Sequence, residues 1–102
     1  MPKPTSVIPS ETDPVHVRLR LYVSGNAPNS VRAIANAKVI CASYFESRCD
    51  LEIVDLLTQP LRALADEIIV TPTLIKLLPL PVQRVVGNLS DTSQVLLALA
   101  SA

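Results

Sequence analysis

The stretch VHVRLRLYVSGNAPNS, Val15 to Ser30, decides how the rest of the chain is read. Its first half alternates apolar and polar side chains and is rich in Val, Leu and Tyr, the pattern of a half-buried strand. Val17, Leu19, Leu21 and Val23 fall on one face. The second half packs Gly25, Asn26, Pro28 and Asn29 into a turn. Pro28 suits the first position of a helix, where its missing N–H has no intrahelical partner to lose. From Asn29 to about Ser47 the apolar spacing is helical: Val31, Ile34, Cys41 and Phe45 share a face, with Ala37 and Tyr44 beside them.

Working outward, DLEIVDLL (Asp50 to Leu57) predicts a second strand with Leu51, Ile53 and either Leu56 or Leu57 in the core. Thr58 can cap a short helix that has Pro60 in its first turn and Leu61, Leu64, Ala65 and Ile68 as its apolar side. Pro72 interrupts the β-branched run IIVTPTLIKLL, so TPTLIKLL is expected as an edge or short strand. VQRVVG follows as another strand, with Val82, Val85 and Val86 apolar and Gly87-Asn88 as its turn. Ser90 or Asp91 then caps a last helix whose buried stripe is Val95, Leu96 and Leu99. The order is βαβαββα. A β-α-β opening of this length demands a right-handed crossover and a parallel pair. The hairpin and terminal helix complete a four-stranded α/β sheet on the thioredoxin-like plan.

Composition narrows the function. The chain has 102 residues, one domain's worth, and 49% of them are apolar, which is enough for a packed core. Nine Lys and Arg balance nine Asp and Glu with no basic run, and aromatics are only 3%. That excludes a nucleic-acid binder relying on phosphate neutralisation or base stacking, and a polybasic membrane patch. Residues 1–15 contain four of the nine prolines and no apolar run of signal-peptide length, and no stretch is long enough to span a membrane. They are expected to form a flexible proline-rich extension before a single domain at 16–102, in a cytoplasmic protein.

The chemistry-bearing residues are few. If the first helix runs to Ser47, its rise of ~1.5 Å per residue puts Cys41 and Cys49 roughly 12 Å apart, too far for a disulfide. Two reduced structural thiols are therefore expected. A chain with one His has no ligand set for a metal, and no cofactor is expected. The first strand–helix turn, Ser24 to Ser30, lacks the Cys-x-x-Cys that dithiol exchange needs at that place. Pro72, within Thr71-Pro72-Thr73, is expected to be cis. Neither His16 with Ser24 and Ser30, nor the lone Gly25, nor the solvated edge of Asp50, Glu52 and Asp55 amounts to a catalytic site. No enzyme is expected.

LYVSGNAPNSVRA (Leu21 to Ala33), the intervening IVDLL, and VTPTLIKLLPLPVQRVVGNLSD (Val70 to Asp91) closely resemble the KaiB family, and the likeness runs from about Val17 to Leu99. The resemblance implies a non-catalytic clock protein that binds a KaiC-type hexameric ATPase and modulates its phosphorylation or output. A KaiA-like protein or a clock histidine kinase would be further partners. It also implies a metamorphic chain: a thioredoxin-like monomer in equilibrium with a resting homotetramer of a second fold, βαββααβ. The residues it places near the partner are Tyr22, Asn26, Asn29, Arg32, Lys76 and Arg84, with Pro72, Gly87 and Ala98 as conformational positions. Glu52 and Glu67 stand where the family has lysines, Gln83 where it has Arg, and Ala98-Leu99-Ala100 where it has Gly-Leu-Asp. These departures, with the proline-rich start and the lack of an acidic tail, are those expected of a diverged paralogue or a non-clock member. Two other readings stand beside it. One is a sensor module acting with a histidine kinase. The other is a thioredoxin-like thiol protein using Cys41 or Cys49 singly.

Overall fold

A computed structural model describes residues 16–45 and 48–100, so the extension at 1–15 lies outside the described residues. The elements are β1 (Val17–Val23), α1 (Pro28–Tyr44), β2 (Cys49–Asp55), α2 (Pro60–Ala65), β3 (Thr73–Leu78), β4 (Gln83–Val86) and α3 (Thr92–Ala100). They follow the βαβαββα order expected from the pattern. The four strands form one mixed sheet in the order β2-β1-β3-β4. β1 runs parallel to β2 in the register Val17 to Cys49, Leu21 to Ile53, and antiparallel to β3. β4 closes the other side of β3 as an antiparallel hairpin.

Period-two alternation along β1 separates two cores. Val17, Leu19, Leu21 and Val23 face Ala33, Ala37 and Ile40 of α1 and Val95 and Leu99 of α3. Tyr22 faces the other way, into a smaller cluster with Val54, Ile75 and Ala63 of α2. The sheet is therefore covered by two helices on one face and by one short helix on the other.

Pro28 does open α1. Its buried stripe is Ser30, Ala33, Ala37, Ile40 and Cys41, whereas Val31 and Tyr44 are about half exposed. Small side chains let the helix lie close over the leucines of β1, and the bulkier Val31 is turned outward. Asp91 Oδ1 accepts the Gln94 N–H at 3.2 Å and so caps α3, with Val95 and Leu99 buried beneath.

Five expectations are corrected. α1 ends at Tyr44, not near Ser47; the Phe45 N–H bonds to the Cys41 carbonyl and the Arg48 N–H to the Phe45 carbonyl, turning the chain. β2 consequently starts at Cys49, beside the end of α1. Cys41 and Cys49 lie 5.6 Å apart at Cα and are joined by a disulfide, not reduced. β3 is a central strand rather than an edge, because Pro72 precedes its first residue and removes no ladder bond. In α2 only Ala63 is buried, while Leu61 and Leu64 are exposed; six residues make too short a face to bury both. Val82, just before β4, and Val86 at its end are likewise about half exposed, and only Val85 packs on the core.

Gly25 turns the chain from β1 into α1 at φ +53°, and a Cβ there would meet Leu57 Cδ1 at 2.9 Å. The Leu57 tip is exposed and can move aside, so the backbone term dominates. Gly25→Ala should lower unfolding stability by about 1 kcal/mol with an unchanged urea m-value, read from equilibrium urea denaturation.

Candidate functional site

The turn where a thioredoxin-like fold would place its dithiol is built here from hydroxyl, amide and carboxylate groups. Ser30, buried at the start of α1, accepts the Ser24 N–H on its Oγ at 2.9 Å. Asp55, at the end of β2, accepts the Gly25 N–H at 3.1 Å and the Leu57 N–H at 2.9 Å on the same oxygen. One carboxylate thus ties the β1–α1 turn to the β2–α2 turn. Thr73 pairs with Tyr22, which sets Pro72 level with Val23 beside this turn, and the Thr71–Pro72 bond is cis as expected. The Pro72 carbonyl accepts the Gly87 N–H at 3.0 Å. Gly87 has φ +120°, a backbone conformation that favours glycine. Pro72 and Gly87, both expected as conformational positions, therefore meet through this bond; Ala98 lies apart from them in α3.

Asn26, Asn29 and Arg32 are exposed around the turn, and Arg32 Nη1 donates to Asn29 Oδ1 at 3.2 Å. Two other expected contact residues are not on the surface. Tyr22 is fully buried, because the sheet face opposite Leu21 and Val23 is covered by α2. Lys76 is only 3% exposed, its Nζ donating to the Leu99 carbonyl at 2.9 Å at the end of α3. In this fold both residues position elements and neither presents a side chain to a partner.

Beside Tyr22 lies a charge network that spans β1, β2, α2 and β4. Arg20 bridges Glu52 at 2.8 Å and Asp66 at 3.0 Å, and Arg62 reaches the second oxygen of Glu52 at 2.7 Å. The Tyr22 hydroxyl donates to Asp66 Oδ2, with the Arg62 carbonyl oxygen 3.0 Å away. Arg84 is exposed and donates to the carbonyls of Asp66 and Glu67, the latter a residue at φ +56°. Hydrogen bonds from Arg62 and Arg20 pull the Glu52 pKa down to about 2. The Tyr22 hydrogen bond, followed by Arg20, lowers that of Asp66. Burial first, and then the neighbouring Asp66, raise that of the Tyr22 phenol.

Glu52 is thus part of a network, not a bare solvated edge. Arg62 and Asp66 were missed in the sequence. Their signal lies in the register of Arg20 opposite Glu52 and not in any local motif. Among the described residues no group of His, Cys, Asp or Glu could hold a metal ion. His16 does meet an acid, Asp50 Oδ2 at 2.8 Å, but both side chains are more than half exposed and no nucleophile adjoins them. Both cysteines of the chain are in the disulfide, so neither is in this structure the free thiol that the single-thiol reading requires. No helix among the described residues is long and apolar enough to cross a membrane.

The fold and the turn define a thioredoxin-like α/β protein with no dithiol at the usual place. Solved structures agree. The N-terminal domain of Synechococcus elongatus SasA matches with a TM-score of 0.67 and 25% identity, over 92% of this chain and 90% of that one. The germline thioredoxin Deadhead of Drosophila melanogaster matches with a TM-score of 0.68 and 10% identity, over 84% of this chain and 82% of that one, which shows the fold alone. The family described as KaiB domain matches residues 20–101, and the chain belongs to the KaiB family. It is 51% identical over 81 residues to the circadian clock protein KaiB3 of Synechocystis, covering 79% of each chain. It is 49% identical to the circadian clock oscillator protein KaiB of Synechococcus elongatus, again covering 79% of each.

Two outcomes test the network. Tyr22→Phe removes one buried hydroxyl and leaves Asp66 with one donor fewer, and should cost about 1–2 kcal/mol in urea denaturation. Glu52 has a folded pKa of about 2, below its unfolded value of ~4.3. Its contribution is therefore complete above the unfolded value and lost as pH falls from there through about 2. The stability gap between the parent and Glu52→Gln, no more than about 1 kcal/mol for so exposed a carboxylate, should be present at neutral pH and close across that window.

Proposed function

We propose that this chain is a non-catalytic regulatory protein of a circadian, timing or stress system. It docks on a KaiC-type hexameric ATPase and modulates its phosphorylation and output. The observation that carries this reading is the pairing of a KaiB-family sequence with the fold of the SasA N-terminal domain. A chain that shares sequence with one clock component and shape with another is suited to occupy the same docking place. Asn26, Asn29 and Arg32 form the exposed end of the docking surface, with Arg84 on the opposite sheet face beside Glu67. The charge of Glu52 is answered inside the chain by Arg20 and Arg62, so its reversal alters the docking face less than that of Glu67.

The test is binding of the full chain to KaiC-type ATPases, with the SasA N-terminal domain as competitor. Binding should be displaced by that domain and weakened about fivefold to tenfold by Arg32→Ala. Arg32 has an exposed guanidinium and supports no element, so this variant keeps its fold. A folded sample that binds no such ATPase overturns the reading. Retention of a histidine kinase in its place would favour the sensor-module alternative, which the SasA likeness also supports.

The same proposal includes a resting homotetramer with a rearranged C-terminal half. Ala98 lies inside α3 of the thioredoxin-like state, where Gly is worse than Ala by ~1 kcal/mol. Ala98→Gly should shift the equilibrium about fivefold toward the tetramer, measured by analytical ultracentrifugation.

A further inference from the structure

The end of the molecule opposite the Ser24–Asn29 turn carries the bridge between Cys41, in the last turn of α1, and Cys49, the first residue of β2. Both cysteines line an open surface groove of about 360 Å³, completed by Lys38, Ala42, Leu51 and Ile53. Cys41 is the more buried partner and Cys49 is half-buried. We propose that Cys41–Cys49 is a reversible thiol–disulfide site, opened and closed in the folded protein by exchange with a dithiol that enters this groove.

Three features carry the assignment. First, neither cysteine depends on the bridge for its place. The Cys41 carbonyl is bonded by the Phe45 N–H, and Cys49 is paired with Val17 in the β1–β2 ladder. Opening therefore leaves the two thiols near the 5.6 Å Cα separation that allows reclosure. Second, the groove is open to solvent at both cysteines, and its apolar wall of Ala42, Leu51 and Ile53 suits the apolar surround of a dithiol reductant. Third, Lys38 stands one helical turn before Cys41 and lines the same groove, so its cation is available to favour a thiolate there once the bridge opens.

The exchange balances without further reagents. A thiolate of the dithiol attacks Cys49 Sγ, forming a mixed disulfide and releasing Cys41 as thiolate beside Lys38. The second thiol of the reductant then displaces Cys49. Two electrons and two protons pass to the cysteines, and the dithiol becomes a disulfide.

The experiment uses the oxidised full chain with dithiothreitol as the probe under non-denaturing conditions. New thiols are trapped with iodoacetamide and counted by intact mass while far-UV circular dichroism is followed. Two adducts should appear with the circular dichroism unchanged. Lys38→Gln, an exposed change, should slow their appearance roughly threefold, and Lys38→Arg should restore the rate. Adducts before any reductant is added, adducts only with loss of the folded signal, or a Lys38→Gln rate equal to the parent's would each overturn the proposal. None of these readouts involves an ATPase, so the result stands apart from the proposed docking.

Discussion

Leu21, Tyr22 and Val23 are consecutive, lie on alternating faces of the sheet, and are all buried. A strand in that position needs apolar cover on both faces and backbone partners on both edges. β1 has all four. β2 and β3 take its two edges, α1 and α3 cover the face of Leu21 and Val23, and α2 covers Tyr22. Every other element is placed by one of these contacts, except β4, which is placed by its hairpin with β3. The parallel pairing with β2 cannot be made by a tight turn, so α1 must cross over the sheet.

The two faces reach their stability differently. The α1/α3 face is an apolar core with one charge inside it, the Lys76 ammonium. Removing that ion from water costs several kcal/mol. Against this stands its hydrogen bond to the Leu99 carbonyl, a charge-assisted contact at the negative end of the α3 dipole. That contact fixes where α3 ends over β3, since only a carbonyl at the helix terminus is unpaired within the helix.

The fold was legible because its signals are local. The alternation from Val17 to Val23, Pro28 after a Gly-Asn turn and Asp91 ahead of a helix each encode one element within a few residues. What was not legible depends on distance through space. The Cys41–Cys49 bridge required knowing that the chain reverses after Tyr44, while the apolar pattern let the helix run on to Ser47. Resemblance alone places Tyr22 and Lys76 near a partner, and nothing in their local sequence shows which element covers them. Tyr22 is buried only because α2 folds over it, and Lys76 because α3 ends above it. At the candidate site, the Asn26–Arg32 turn was visible as exposed polar residues, but the Asp55 clamp and the Asp66 junction join segments tens of residues apart.

The Tyr22 face raises a separate question, namely what keeps a six-residue helix in place when Ala63 is its only buried side chain. Leu61 and Leu64 point to solvent and Ile69 just beyond is almost fully exposed, so the apolar attachment is limited to Ala63 and the partly buried Leu56 and Ile68 on either side of the helix. The other attachments are polar. Arg62 pairs with Glu52, the Tyr22 hydroxyl bonds to Asp66, Arg20 pairs with Asp66, and Arg84 bonds to the carbonyls that follow the helix. Most of these contacts are at least partly exposed, where single ion pairs contribute at most about 1 kcal/mol and are screened by salt. A segment held in this way opens at lower free energy than the apolar core beneath α1 and α3. Residues 56–72 are therefore the part of the fold most responsive to ionic strength and to protonation of Glu52 and Asp66. They also connect the β1–α1–β2 unit to the β3–β4 hairpin and α3.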